Sequence, residues 1–144
     1  MALVVRKCEL KDAAVIAELN RLEMGYDYPA EATESKRKKL LSDSSCLILV
    51  AENDGEVVGY VHAEEYDLLY FPTMVNIMGV AVSSDCRRMG AGKALMAGVE
   101  IWANEIGAEA VRLVSGAERK GAHKFYESIG FASGKTQINF RKNI

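Results

Sequence analysis

The sequence predicts one mixed α/β domain, antiparallel in its first half and with a parallel element in its second. Three observations carry that expectation. Two apolar runs flank Asn53-Asp54-Gly55, and Asp-Gly tolerates the positive φ angles of a tight hairpin turn. A strand-like run over 75–82 passes straight into a glycine-rich segment and then a long amphipathic pattern, the strand-to-helix order of a crossover unit. The chain has 144 residues, 49% apolar and 26% charged, which supports one core of real size but hardly two.

Each element follows in order. Residues 3–8 read as a strand. Asp12 stands where an N-cap belongs, and Val15, Leu19 and Leu22 recur at helical spacing. Gly25-Tyr26-Asp27-Tyr28-Pro29 interrupts that helix with turn chemistry, and a second, highly charged helix covers 31–41. The hairpin strands are 46–52 and a run from Val57 through His62 to Tyr66; residues 66–72 read as a loop, and 75–82 as the next strand. Leu95, Val99, Trp102 and Ile106 share one face of a long helix that Gly107 ends. Residues 110–115 give another strand, Ala122, Phe125 and Ile129 a helix ending at Gly130, and 137–141 a strand that closes the sheet. No repeat, linker or low-complexity tract divides residues 1–144, so a single domain is expected.

Composition excludes several classes. A net charge of −2 leaves no electropositive surplus for nucleic acid or an anionic bilayer. Cys8, Cys46 and Cys86 are far apart with no C-x-x-C pair, and there are only two histidines, His62 and His123. That sparse set argues against a disulfide framework and a structural zinc site, so no metal is expected and the cysteines read as free thiols in a reducing compartment. Residues 1–11 lack the apolar stretch of a signal peptide and no span is long enough to cross a bilayer, so a cytoplasmic location is expected.

The strongest constellation is Val80-Ala81-Val82 followed by Arg87-Arg88-Met89-Gly90-Ala91-Gly92-Lys93-Ala94. Free amides at a helix N-terminus carry partial positive charge and suit a phosphate, and glycine lets the anion approach closely. A Walker-type loop fails because Ala94 follows Lys93, so no hydroxyl is available for magnesium, and Arg87 sits where the first glycine belongs. A dinucleotide fingerprint fails because Leu95 replaces the third glycine and the motif comes late in the chain. From the residues alone, an anion cradle and a glycine-softened helix start with surface arginines both stay open.

The wider pattern resembles the GNAT acetyltransferase superfamily. Arg87-x-x-Gly90-x-Gly92 matches that family's (Gln/Arg)-x-x-Gly-x-(Gly/Ala) signature, with Val80-x-Val82 ahead of it at the family's spacing. Ala122-His123-Lys124-Phe125-Tyr126 with Gly130-Phe131 is similar to its second motif. The resemblance covers nearly the whole chain. It implies a GNAT-like α/β (α+β) fold, with a mostly antiparallel sheet splayed between its fourth and fifth strands and flanked by helices.

It also implies acetyl-coenzyme A as donor and an amine as acceptor. The amides of residues 88–94 would bind the pyrophosphate, and backbone groups at Val80, Ala81 and Val82 would pair with the pantetheine arm. Ser115, Arg119, Ala122, Phe125 and Tyr126 would complete the cofactor contacts. Tyr126 would protonate the departing thiolate, a role in which a phenol with pKa about 10 serves only if well positioned; the other reading is a core aromatic beside Phe125, although adjacent helical positions face different ways and cannot both fill one core site. Where many relatives carry asparagine, three residues before the motif's alanine, this chain has Arg119. The string Ser115-Gly116-Ala117-Glu118-Arg119 resembles a branch that acetylates small amines such as aminoalkylphosphonates.

An amine attacks only when neutral, so a base or a water chain must take its proton. Relatives often carry a glutamate on the strand ahead of Val-x-Val, but Asn76 stands at the comparable place here. Glu64, Glu65 and His62 on the preceding strand are candidates, with Glu64 preferred; each also reads as a solvated strand end. Attack by an amine already neutral in solution stays open. Tyr26, Asp27, Tyr66, Asp67 and Tyr70 are candidate acceptor contacts through charge and cation–π attraction. The expected function is direct acetylation of a small-molecule amine, without an acyl-cysteine step at Cys86. A regulatory module that binds acetyl-coenzyme A and a protein N-acetyltransferase are the alternatives. Similar proteins are often homodimers.

Overall fold

The computed structural model describes residues 3–144. Two compact units are present, Met1–Leu113 and Val114–Ile144. The first unit holds a five-stranded sheet in sequential order: β1 (Leu3–Lys7), β2 (Cys46–Asn53), β3 (Glu56–Leu68), β4 (Phe71–Val82) and β5 (Val111–Arg112). The first four strands pair antiparallel, while β4 and β5 run parallel. The expected hairpin forms: Asn53 pairs with Glu56, and Asp54 and Gly55 have φ of 51° and 86°. Two successive positive φ angles match the right-handed twist of the strands they join, and aspartate and glycine adopt them at low cost.

Residues 66–72, expected as a loop, belong mostly to strands. β3 runs to Leu68 and β4 starts at Phe71, so only Leu69 and Tyr70 turn the chain. Tyr66 pairs with Met74 across the hairpin, and the Thr73 hydroxyl donates to the Asp67 carboxylate at 2.6 Å. Pro72 is tolerated because it lies beside the turn, where a missing N–H costs the ladder little.

Alternate residues of β2 and β3 feed two separate cores. On one face Ile48, Val50 and Tyr60 pack with Cys8, Ile16, Leu19 and Ala81. The helices there are α1 (Ala13–Leu19), extended by a π turn over Asn20–Met24, and α2 (Ala30–Leu41). Gly25, left-handed at φ 75°, stops the first, and Tyr26 N–H closes the turn onto the Asn20 carbonyl. On the other face α3 (Ala91–Glu105) packs against β1 to β4. A Cβ on Gly98 would lie 2.7 Å from Leu49 Cδ1, so glycine brings helix and sheet together. The buried stripe is Leu95, Met96, Val99 and Ala103; Trp102 and Ile106, expected on that face, are half-buried at its edge.

Asp12 precedes α1 as expected, but its carboxylate does not cap that helix. It accepts two bonds from the Arg6 guanidinium, at 2.8 and 2.9 Å, and one from Glu9 N–H at 2.7 Å.

In the second unit α4 (Lys120–Ser128) is the regular element, and Gly130 lies just beyond it as expected. Two expectations need correction. The strand over 110–115 shrinks to Val111–Arg112, because β4 offers β5 partners only at Val75 and Asn76. Residues 137–141 form no strand. Ile138 and Phe140 there are 78% and 87% exposed, so their alternation buries no face.

Candidate cofactor and acceptor site

The site begins where the sheet opens. β5 pairs with Val75 and Asn76 and then stops, so residues 77–82 of β4 pair with β3 alone among the described strands. Asn76 sits at the fork: its Oδ1 accepts from Arg112 Nη1 at 2.6 Å. The same guanidinium lies 4.5 Å from the centroid of the Tyr66 ring. Val80 and Val82 are half-buried and Ala81 is buried, leaving one backbone edge of this stretch for another partner.

That edge runs through a 3-10 turn, Ser84–Met89, into α3. Gly90 takes φ 82° and ψ 13° and turns the chain into the helix. Ala94 N–H donates to the Gly90 carbonyl at 2.9 Å, the first closed turn. The preceding amides of Ala91, Gly92 and Lys93 have no intrahelical acceptor and gather partial positive charge at the start of α3. Ala91 and Gly92 are buried, Met89 is half-buried and Lys93 is exposed. The side chains of Arg87 and Arg88 lie outside the described residues.

Glu64 lies directly across from Asn76 in the β3–β4 register, so their side chains share a face. Glu64 Oε1 is 3.3 Å from Cys46 Sγ and 3.6 Å from His62 Nε2. Burial lowers the His62 pKa against the pull of Glu64, which favours the neutral imidazole. Burial and the neighbouring carboxylate push the Cys46 thiol up to about 12. Glu65, the other candidate, is exposed.

His62 also lines a cavity of about 140 Å³ with Asn20, Tyr28, Thr33, Arg37 and Tyr60. Arg37 is 3% exposed; its Nη1 donates to Cys8 Sγ at 3.5 Å, while Nε and Nη2 have no partner. Tyr26 and Asp27 lie exposed between α1 and α2, and Tyr70 lies exposed at the β3–β4 turn. Tyr66 and Asp67 sit on β3.

In the second unit Tyr126 is half-buried on α4 between Phe125 and Phe131, with ring centroids 5.5 and 5.9 Å away. Burial raises its phenol pKa and the charge of Arg119 partly offsets this. Arg119 stands at the N-cap of α4, and its carbonyl accepts His123 N–H at 3.1 Å. Ser115 Oγ is buried and has no partner, and Ala122 and Phe125 are half-buried.

A model of the acetyltransferase (GNAT) family matches residues 13–131. The chain belongs to this family. GNAT enzymes transfer an acetyl group from acetyl-coenzyme A to nitrogen. The N-alpha-acetyltransferase of Sulfurisphaera tokodaii is 31% identical over 135 residues, covering 88% of this chain and 78% of that one. An aminoglycoside acetyltransferase, AAC(6')-Iy, in complex with a bisubstrate analogue shares the fold with a TM-score of 0.88 at 20% identity, over all of both chains. The 6'-N-acetyltransferase AAC(6')-Ih of Acinetobacter baumannii does so at 0.86 and 18% identity, over 99% of each.

Sequence reasoning missed Arg37, Arg112 and Cys46 as neighbours of these candidate residues. Arg37 looked like one charge among many on a polar helix; its position four residues after Thr33, the other buried residue of α2, is the signal that puts both on one face. Cys46 and Glu64 meet through strand register, which the hairpin turn alone does not set: a bulge beside Ala51 and Glu52 shifts it by one residue and brings Cys46 opposite Glu64 rather than Ala63.

Proposed function

We propose that the protein, as a single domain over residues 1–144, acetylates the primary amine of a small molecule by direct attack on acetyl-coenzyme A. The observation that carries the donor half is the unpaired edge of β4 at 77–82 leading into the left-handed Gly90 and the start of α3. The pyrophosphate lies on the amides of residues 88–94, and the pantetheine arm adds to β4 at Val80–Val82 as an extra strand. Ser115, Arg119, Ala122 and Phe125 complete the cofactor contacts.

Glu64 is the general base, alone or through water. Its support is positional, because it faces the fork residue Asn76 directly across the hairpin. The neutral amine attacks the thioester carbonyl, the tetrahedral intermediate collapses, and the thiolate leaves with a proton from Tyr126. A phenol of ordinary pKa about 10 is already protonated at neutral pH, as a proton donor requires, and burial raises its pKa further. Tyr26, Asp27, Tyr66, Asp67 and Tyr70 form the acceptor's approach. The three free cysteines support a reducing, cytoplasmic setting.

Tyr126→Phe tests the chemistry. Turnover should fall roughly 10²- to 10⁴-fold, the usual worth of a positioned acid, while calorimetry finds acetyl-coenzyme A affinity little changed. A loss of affinity with turnover preserved would make Tyr126 a packing residue. A protein N-terminal amine is the second reading, favoured by the 31% identical N-alpha-acetyltransferase. Thiol release with peptides bearing a free N-terminus, and none with small amines, would select it. Cofactor binding without release on either panel would leave a regulatory module.

A further inference from the structure

Cys46, His62 and Glu64 converge although nothing in their sequence spacing announces it. β2 and β3 pair with Cys46 opposite Glu64, and His62 lies two residues along the same strand, so all three side chains project from one face. Their ligand atoms lie within 4.8 Å of one another. The Sγ–Oε1 and Nε2–Oε1 separations are 3.3 and 3.6 Å. A tetrahedral zinc ion with bonds of about 2.3 Å to sulfur and about 2.0 Å to nitrogen and oxygen has ligand–ligand edges of roughly 3.3–3.5 Å. Two of the three edges are thus already near their metal-bound length.

A second observation points the same way. His62 Nε2 is buried and makes no hydrogen bond, and it faces the Glu64 carboxylate. A buried polar nitrogen without a hydrogen-bond partner is costly. A cation between it and the carboxylate satisfies both. Two β-strands fix the Cα positions, so the cluster does not depend on a loop closing. Asp43 Oδ2 lies 3.7 Å from Cys46 Sγ, near enough to reach a fourth position or to orient a water there, while the cations nearby are Arg37, in the cavity that His62 lines, and Arg112, bonded to the Asn76 that faces Glu64.

We propose that Cys46, His62 and Glu64 form a binding site for one thiophilic divalent cation of the zinc type. On binding, the Cys46 S–H gives its proton to solvent and the thiolate, the Glu64 carboxylate and the neutral imidazole each donate an electron pair. One proton leaves, and no redox change occurs. The site charge goes from −1 without the ion to zero with it. This mixed set of sulfur, nitrogen and one oxygen suits zinc over magnesium or calcium, which take oxygen ligands. Occupancy also removes Glu64 from its role as base, a consequence that rests on the acetyl-transfer reading above.

The test uses the full chain, stripped with a chelator and titrated anaerobically with cobalt(II). One equivalent should give a thiolate-to-cobalt charge-transfer band together with the intense visible bands of a tetrahedral ion, and zinc should bleach both. Cys46→Ser should abolish the charge-transfer band and weaken binding at least about 100-fold, the top of the roughly 10–100-fold lost when a group merely supports a ligand. Cys86→Ser should change neither. If Cys46→Ser does not fold, His62→Gln serves in its place through the visible bands and the affinity. Absence of the band in the wild type, or its survival in Cys46→Ser, overturns the site. Zinc inhibition of acetyl transfer that vanishes in Cys46→Ser links the ion to Glu64; stoichiometric binding without inhibition keeps the metal site and removes Glu64 as base.

Discussion

Asp12 illustrates how a residue's neighbours redirect it. Its carboxylate is 3% exposed and holds the 22% exposed Arg6 through two bonds, with Glu9 N–H as a third donor. Burial pushes the carboxyl pKa up, but the Arg6 bonds and the Glu9 amide outweigh it, leaving the group below its ordinary range. A folded pKa below the unfolded one means the carboxylate's contribution is complete above the unfolded value, about 3.9, and fades as pH falls through the folded one. Asp12→Asn should therefore cost about 3 kcal/mol at neutral pH, as expected when one partner of a buried pair is removed. Urea titrations at successively lower pH should show the gap to wild type closing below about pH 4. A gap constant with pH would assign the loss to packing. The sequence marks Asp12 as a helix-start residue, but its ion pair depends on how β1 lies beside the turn. That reach to Arg6, six residues away, has no helical periodicity to betray it.

At the scale of elements, what was legible follows from periodicity and turn chemistry. The Asp54-Gly55 turn, the charged second helix, the glycine stops at Gly25, Gly107 and Gly130, and the strand running into Gly90 are all local properties of the chain. The lengths of β3 and β4 were not, because Tyr66, Asp67 and Pro72 look like loop residues until the opposite strand supplies partners. The failed strand at 137–141 is the converse: alternation without a neighbour to bury against is not a strand. The residues assigned to the donor were legible as a motif, whereas the cavity beside His62 and the Cys46–His62–Glu64 cluster depend on which residues the strands and helices bring together. Gly59 shows how tightly that pairing is built. Opposite Val82, its absent Cβ would lie 3.1 Å from the Ala81 carbonyl oxygen and 3.4 Å from Leu95 Cδ1. Leu95 is fully buried, so Gly59→Val must push β4 at the edge assigned to pantetheine. It should cost about 1–3 kcal/mol and weaken acetyl-coenzyme A binding at least about tenfold. Leu47→Ala, on β2 away from that edge, should cost about 2–4 kcal/mol and leave the affinity alone. Equal effects on affinity would mean that β4 is not the cofactor's edge.

At the scale of the whole molecule, the assigned cofactor contacts fall in both compact units, residues 80–94 in the first and 115–126 in the second. A ligand that binds only the folded state stabilises whatever it touches, by about 2.7 kcal/mol at a hundred times its Kd. For a chain of this length that corresponds to a rise in melting temperature of roughly 10 °C, at about 3–4 °C per kcal/mol. Trp102, the single tryptophan, lies on α3 and reports the first unit. Its unfolding transition should move by that amount in saturating acetyl-coenzyme A. Amide exchange reads the second unit separately: protection in α4 should rise together with protection in α3, because one ligand couples the two stabilities. Protection confined to α3 would leave the pyrophosphate cradle intact but withdraw Ser115, Arg119, Ala122 and Phe125 from the cofactor contacts. Tyr126 would then need another route to the sulfur it is assigned to protonate, so this measurement bears on the chemistry as well as on whether residues 1–144 act as one domain.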